Sequence, residues 1–291
     1  MYLSFYNLRE FPFAITCDSR YFFESSAHAE ALANMMYTVQ QRKGMVLVTG
    51  EVGAGKTFVG NMLTDRLGAK CLTVYMKNPP QSAKQLIRAV AAATGMNVRA
   101  TTDKMSMLDA LEEQLVSLLI RRRLVALILD ECQDLPASSL EELRLLWNWE
   151  YQGNRLVQII LIGQPELRER LMQPRWEPLR QRIVLSYHLR HLNADDTSRY
   201  ISHRLAIAAN EGGAGVSFSD EARDLIFQAT DGIPRLVNVL CDNALLVGYA
   251  RDSHLIGEDI VSDVLRDMTC WGLQSHHRAG DTDSLEWSGR R

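Results

Sequence analysis

Residues 50–57 place the strongest constraint on what this chain folds into. Their sequence, Gly-Glu-Val-Gly-Ala-Gly-Lys-Thr, matches the pattern G-x-x-x-x-G-K-[ST]. Glycines let the backbone bend closely around a polyphosphate, and the backbone N–H groups of the loop then face the anion. The apolar run 45–49 is typical of a buried strand, and apolar residues recur at helical spacing over residues 58–67. Strand, loop and helix in this order predict a phosphate-binding site rather than a chance match.

Each residue type in the loop predicts a role. The candidates for contact with the nucleotide are the loop and the residue after it: Gly50, Glu51, Val52, Gly53, Ala54, Gly55, Lys56, Thr57 and Phe58. We expect the Lys56 ammonium to reach the β- and γ-phosphates and the Thr57 hydroxyl to take one position on Mg²⁺. The predicted cofactors are therefore ATP and Mg²⁺, although the loop does not distinguish ATP from GTP.

Composition indicates an ordinary globular protein. The chain has 291 residues, of which 46% are hydrophobic and 23% charged, and a net charge of −3 argues against a surface built mainly to coat nucleic acid. Its five cysteines lack C-x-x-C spacing, so no disulfide framework or cysteine metal site is predicted. We see no signal peptide and no run near the roughly 18 apolar residues that a membrane helix needs. The sequence predicts a cytoplasmic protein without direct membrane insertion, attached to the inner membrane, if at all, through a partner.

Alternating strands and helices fill the first two thirds of the chain. The predicted strands are residues 45–49, 72–76, 124–129, 157–162 and 183–187, and the predicted helices among them are 26–41, 58–67, 82–95, 107–122 and 138–149. This alternation predicts an α/β fold with a parallel five-stranded sheet and right-handed crossovers. After residue 191 the pattern becomes all-α, with predicted helices 193–210, 219–230, 234–249 and 257–268 and no convincing strand.

The change of pattern divides the chain into four predicted parts. Residues 1–43 form an N-terminal linker and helix that contribute to the nucleotide pocket, and residues 44–191 form the α/β core. Residues 192–268 form a small helical domain. Residues 269–291 are polar and aperiodic, and we expect them to be disordered.

A pair of carboxylates supplies what a phosphate loop alone lacks. Asp130 and Glu131 directly follow the apolar run 124–129, where adjacent carboxylates are costly unless a cation or water network meets them. We interpret Asp130 as the carboxylate of the metal shell and Glu131 as the base that positions and activates water. The competing interpretation is a solvated turn after a buried strand.

Three further polar residues are candidates with plainer alternatives. Gln164 lies just after the strand 157–162 and is placed to sense the γ-phosphate, unless it is simply a turn amide. Arg182, with Arg180 as second choice, is placed to reach a neighbouring subunit's nucleotide in a homo-oligomer, although an arginine at a helix end also complements the helix dipole. Arg235 opens a helix of the all-α part and is predicted to report the nucleotide state.

These elements, in this order, resemble the AAA+ ATPase superfamily. The matching parts are Walker A at residues 50–57, Walker B at 124–131, sensor 1 at 159–164, the arginine finger at Arg182 and sensor 2 at 232–235. More narrowly, the chain resembles the ExeA/general secretion pathway protein A family over roughly residues 1–268. That likeness rests on Met1-Tyr2-Leu3-Ser4-Phe5-Tyr6, on Leu8-Arg9-Glu10-Phe11-Pro12-Phe13, on Asp130-Glu131-Cys132-Gln133 and on Gly163-Gln164-Pro165-Glu166-Leu167.

The resemblance implies a P-loop NTPase core with strand order 5-1-4-3-2 and a helical lid. It implies ATP hydrolysis coupled to assembly of a cell-envelope machine, with membrane-associated secretion or pilus proteins as partners. Related branches serve type II secretion, mannose-sensitive pilus biogenesis and exosortase-linked polysaccharide loci. Larger secretion members continue into a membrane helix and a peptidoglycan-binding domain, and nothing in this sequence is expected to play either part.

Several alternatives remain open at this level. The cluster Arg121-Arg122-Arg123 keeps an ATP-dependent, DNA-binding regulator of transposition as a rival function, although three arginines also suit a helix C-terminus. Asn148 is a candidate for restraining Glu131 until a partner docks. Aromatic residues of the N-terminal segment are candidates for the adenine pocket or for plain packing: Phe11, Phe13 and Tyr21.

Overall fold

The computed structural model describes residues 2–16, 18–97, 99 and 103–269. Its helices are α1 (Tyr2–Phe5), α2 (Ser26–Gln40), α3 (Lys56–Leu67), α4 (Ala83–Ala93), α5 (Lys104–Ile120), α6 (Ala137–Trp147), α7 (Pro165–Met172), α8 (Glu177–Arg180), α9 (Ala194–Ala208), α10 (Asp220–Thr230), α11 (Pro234–Ala250) and α12 (Glu258–Thr269). Its strands are β1 (Met45–Gly50), β2 (Cys71–Met76), β3 (Leu124–Leu129), β4 (Glu150–Tyr151), β5 (Asn154–Arg155), β6 (Gln158–Gly163), β7 (Ile183–Leu189), β8 (Ser217–Phe218) and β9 (Leu255–Ile256). Of the tail predicted to be disordered, residues 270–291 lie outside the described part.

Five parallel strands form the central sheet in the order β2-β3-β6-β1-β7. Counted along the chain, these are the five predicted strands, and their order, 2-3-4-1-5, is the implied order 5-1-4-3-2 taken from the other edge. The α/β fold with a parallel five-stranded sheet is therefore confirmed. Because β1 lies between β6 and β7, the end of β1 opens inside the sheet rather than at an edge strand, beside the ends of its neighbours.

The alternation of side chains along β1 builds two separate cores. Met45 and Leu47 pack in one cluster with residues of α4, α5, α6 and α7, whereas Val46 and Val48 pack in another with residues of α2 and α3. Every residue of β1 is buried, as expected of a strand covered on both faces. Helices thus cover both faces of the sheet and make three layers.

Two short strand pairs were not predicted. Strands β4 and β5 form an antiparallel hairpin whose turn, Gln152-Gly153, has positive φ at both residues, the geometry that joins two strands most directly. Strands β8 and β9 pair in parallel within the region predicted to contain only helices. Each strand has two residues, too few for hydrophobic alternation to mark them in the sequence.

The described residues form two compact units, 15–191 and 2–14 together with 192–269. The sequence prediction had grouped residues 1–43, but residues 2–14 pack with the C-terminal helices instead. The Tyr2 hydroxyl donates to Asp242 Oδ1 at 2.5 Å, and the buried Arg204 guanidinium donates to the carbonyls of Pro12 and Ala14. The physical reason is that these bonds join residues separated by 190, 192 and 240 positions, which no local pattern reveals.

Among the described residues, no helix combines the length and the apolar composition needed to cross a bilayer.

Gly232, just before α11, should not tolerate a side chain. Its φ is +67°, and an added Cβ would lie 1.9 Å from the Leu192 carbonyl oxygen. We expect Gly232→Ala to lower the free energy of unfolding by more than about 2 kcal/mol, because backbone strain and overlap add. Urea unfolding measures this change. Gly213→Ala is the matched control, because its φ is +90° but nothing lies within 4 Å of the added Cβ; equal losses would contradict the overlap argument.

Candidate nucleotide-binding and hydrolysis site

The glycine-rich loop joins the end of β1 to the start of α3. Gly55, the residue before α3, has φ +91°, a conformation that L side chains rarely adopt. An added Cβ there would also lie 2.8 Å from His28 Nε2. The His28 Nε2 group in turn donates to the Ala54 carbonyl at 3.2 Å, since a carbonyl can only accept. Helix α2 therefore contacts the loop through His28, and the N-terminus of α3 directly follows the loop.

Lys56 lies inside the loop. Its side chain is 6% exposed, and Nζ donates to the carbonyls of Gly50 at 2.8 Å and Glu51 at 2.9 Å. Burial lowers the pKa of the Lys56 ammonium, while the nearby Glu131 and Asp130 carboxylates oppose this shift. Backbone carbonyls of the loop thus hold the ammonium in place. The ammonium would help that same loop to bind phosphate.

Asp130 brings the second predicted motif to the loop. It follows β3, is 1% exposed, and its Oδ2 accepts from the Thr57 hydroxyl at 2.6 Å and from the Tyr75 hydroxyl at 3.1 Å. A hydroxyl and a buried carboxylate in direct contact are the hard oxygen donors that Mg²⁺ prefers, so Thr57 and Asp130 fit that ion. Tyr75, on the neighbouring strand β2, was missed by the sequence analysis, because only the sheet order places it beside Asp130.

Glu131 and Gln164 also meet. Glu131 adopts φ +53°, and its Oε2 accepts from Gln133 Nε2 at 2.6 Å and from Gln164 Nε2 at 3.4 Å. The two residues follow β3 and β6, which are neighbouring parallel strands, so their side chains converge at the carboxyl ends of these strands. Gln133 was not predicted to take part in the site. The amides that contact Glu131 are thus those of Gln133 and Gln164, and not that of Asn148, whose Oδ1 accepts from Arg182 Nε.

The two candidate finger arginines bind groups of their own chain. Arg182 lies with its guanidinium carbon 5.6 Å from the centre of the Trp147 ring, and its Nε donates to Asn148 Oδ1 at 3.4 Å. It also donates to the Pro178 carbonyl. Arg180 donates to the carbonyls of Leu171 and Met172 at 3.3 and 3.2 Å, at the end of α7. Both side chains are half-buried, and neither contacts the residues around Glu131 in these bonds.

The remaining candidates lie in several places. Arg235 is exposed at the second residue of α11, in the C-terminal unit, whereas the other candidates lie in the unit 15–191. Phe11 and Phe13 also belong to the C-terminal unit and contact other rings there. In the N-terminal segment, Phe22 contacts the first turn of α3, where its ring stacks on Phe58 with centres 6.0 Å apart.

The arginine cluster 121–123 ends helix α5. The Arg122 backbone has φ +59°, and the N–H groups of Arg122 and Arg123 bond to the carbonyls of Leu119 and Leu118. This is the usual closure of a helix C-terminus, where positive charge is favourable. The cluster therefore has a local structural role.

The Walker-type loop, the buried Asp130 and the order of the strands together define a P-loop NTPase core of the AAA+ class. A helical domain follows this core in the chain. Residues 39–171 match the family described as AAA domain. The chain is a homologue of general secretion pathway protein A of Aeromonas hydrophila, with 37% identity over 256 residues. That alignment covers 88% of this chain but 46% of the relative, so the chain spans about half the length of the curated protein it matches.

Solved structures show the same fold at low identity. The ORC2 protein of Aeropyrum pernix, solved in ADPNP-ADP complexes, has a TM-score of 0.64 and 17% identity, with 88% of this chain and 71% of that chain covered. The RuvB Holliday junction branch migration motor of Thermotoga maritima has a TM-score of 0.57 and 16% identity, with 89% and 73% covered. These likenesses concern the fold alone.

Proposed function

We propose that this chain binds ATP with Mg²⁺ and hydrolyses it to ADP and phosphate. The observation that carries the proposal is the 2.6 Å bond between Thr57 Oγ1 and Asp130 Oδ2, which joins the phosphate loop to the carboxylate pair. Lys56 binds the β- and γ-phosphates, Glu131 takes a proton from the attacking water, and Gln164 orients that water. The loop N–H groups and the N-terminus of α3 bind the phosphate oxygens.

Thr57 and Asp130 would hold the metal ion. When bound, Mg²⁺ supplies positive charge that neutralises the phosphate oxygens. The Tyr75 hydroxyl, which also donates to Asp130, keeps that carboxylate aimed at the loop. Release of phosphate from ATP by the purified chain, measured with Mg²⁺ and again with EDTA, tests the proposal; a failure to hydrolyse ATP in the assembled state would overturn it.

We infer that the active form is a homo-oligomer in which Arg182, or failing that Arg180, acts on the neighbouring subunit's nucleotide. In support, both arginines lie at the junction of α8 and β7, and their bonds in one chain are to carbonyl and amide oxygens rather than to carboxylates. Such neutral partners can be exchanged for a phosphate at lower cost than a carboxylate partner. Arg235 is proposed to report the nucleotide state.

Arg182→Ala should abolish cooperative turnover and leave ATP affinity nearly intact. An arginine finger contributes about 10³–10⁵ in rate, and a residue acting from the neighbouring subunit does not hold the ground-state nucleotide of its own chain. Turnover against protein concentration and calorimetric ATP binding measure the two effects. Arg266→Ala, an exposed arginine of α12, is the control and should behave as wild type. Unchanged turnover for Arg182→Ala would exclude this residue and direct the test to Arg180→Ala.

The chain's cellular role is proposed from its relative. Because the homologue is a general secretion pathway protein, we infer that ATP turnover drives assembly of a secretion, pilus or exopolysaccharide machine from the cytoplasmic side. The partners would be membrane-associated proteins of that machine. Nucleotide-dependent co-purification with membrane proteins encoded beside this chain's gene checks the role. Salt-sensitive, ATP-dependent binding of duplex DNA instead would favour the transposition alternative.

A further inference from the structure

The Gln133 side chain bridges two groups of the candidate site. Its Nε2 donates to Glu131 Oε2 at 2.6 Å, and its Oε1 accepts from the backbone N–H of Gln164 at 3.0 Å. The chemistry of these partners fixes the orientation of the amide, because a backbone N–H can only donate and an ionised carboxylate can only accept. An amide therefore suits both partners at once, whereas a carboxylate would suit only the N–H group.

The main chain of Gln133 is itself held in place. It lies in the short 3₁₀ turn Cys132–Asp134, in which Cys132 is fully buried. Arg170 of α7 donates to the carbonyls of Gln133 at 3.2 Å and Leu135 at 2.5 Å, on either side of the end of that turn. The amide of Gln133 therefore reaches Glu131 from a rigid base, which is what a group that orients another side chain requires.

Glu131 needs such a support. Its backbone adopts φ +53°, a conformation that costs a non-glycine residue free energy, so the turn directs its side chain away from the course that an extended strand would take. The Gln164 amide contacts the same Oε2 atom from 3.4 Å, a longer and weaker bond than that of Gln133. Among the contacts of the Glu131 carboxylate, the Gln133 bond is thus the shorter of the two.

We propose that Gln133 is a positioning residue, which holds the Glu131 carboxylate at a set distance from Gln164 so that both meet the attacking water. The proposal rests on the ATP hydrolysis proposed above and adds to it the residue that orients the base. A positioning role and a purely structural role predict different effects of substituting Gln133. Removing the amide should lower the rate of the chemical step while leaving the binding of ATP unchanged.

Gln133→Met tests the proposal, because methionine keeps the length of the side chain and loses both hydrogen bonds. We expect kcat to fall by about 100-fold, the cost of a misplacement of about 1 Å at a reacting group, with the dissociation constant for ATP unchanged. Gln133→Glu should be at least as slow, because a second carboxylate would face Glu131 at 2.6 Å. Gln173→Met, at an exposed glutamine after α7, is the matched control and should keep the wild-type kcat.

A double-mutant cycle separates positioning from stability. If Gln133 acts through Glu131, adding Gln133→Met to Glu131→Gln should cause no further fall in single-turnover rate. A multiplied loss, or a wild-type kcat in Gln133→Met, would overturn the proposal. If the wild-type chain binds ATP but does not hydrolyse it, the proposed function fails instead, so the two failures are distinguishable. Thermal unfolding with and without ATP checks that each variant is folded.

Discussion

Glu131→Gln should retain ATP and lose hydrolysis, with kcat lowered by about 10²–10⁴-fold, the usual contribution of a general base. Glutamine keeps the size of the side chain but cannot take a proton from water. The Gln133 and Gln164 amides lie next to this carboxylate, at 2.6 and 3.4 Å, and a glutamine at position 131 keeps an oxygen that can accept from them. Phosphate release measures kcat, and calorimetry measures the retained affinity for ATP.

Glu113→Gln is the matched control for this prediction. Glu113 is exposed on α5, and its substitution should leave both kcat and ATP affinity unchanged. Hydrolysis at the wild-type rate by Glu131→Gln would show that another group activates the water. Loss of ATP binding in that variant would show instead that Glu131 acts on the nucleotide's ground state.

Lys56→Ala should weaken ATP binding severely. The Lys56 ammonium already donates to two carbonyls of the loop, and we expect it to exchange these for phosphate oxygens. Charge-assisted hydrogen bonds contribute about 1.5–3 kcal/mol each, so losing one or two should raise the dissociation constant by between about tenfold and about 10⁴-fold. Titration calorimetry with ATP and Mg²⁺ measures the change directly.

Lys70→Ala provides the comparison, since Lys70 is an exposed lysine just after α3. It should bind ATP as the wild type does. Thermal unfolding checks that Lys56→Ala is folded. If the folded variant kept the wild-type affinity for ATP, the proposal that the Lys56 ammonium exchanges carbonyl partners for phosphate oxygens would be contradicted.

Much of the fold was predictable because its signals are local. Strand β3 was predicted with its observed bounds, and the other four strands of the sheet were predicted within two residues of theirs. Their near-continuous apolar character reflects burial on both faces, which is a property of each strand's own residues. The strand order came from the resemblance to AAA+ proteins and was confirmed by the structure.

The candidate site was predictable in part. Thr57 and Asp130, 73 residues apart, meet because each follows a strand of one parallel sheet, so their contact follows from motif and topology together. Gln133 entered the sequence analysis only as part of the family resemblance at residues 130–133, and neither it nor Phe22 carried a signal for a role in the site. A glutamine in a turn and an aromatic residue in a linker are common, and only their partners, Glu131 and Phe58, give them a place in the site.

The sequence by itself determined the chemistry of the loop, since a glycine backbone with a lysine and a threonine at set spacing suits a phosphate whatever surrounds it. It also determined the alternation of strands and helices, which depends on residues near one another in the chain. The tertiary structure decided that residues 2–14 pack with the C-terminal helices and that Gln133, not Asn148, contacts Glu131. These outcomes depend on hydrogen bonds that only the folded chain can form. The course of the backbone, and not a local sequence pattern, brings each donor to its acceptor.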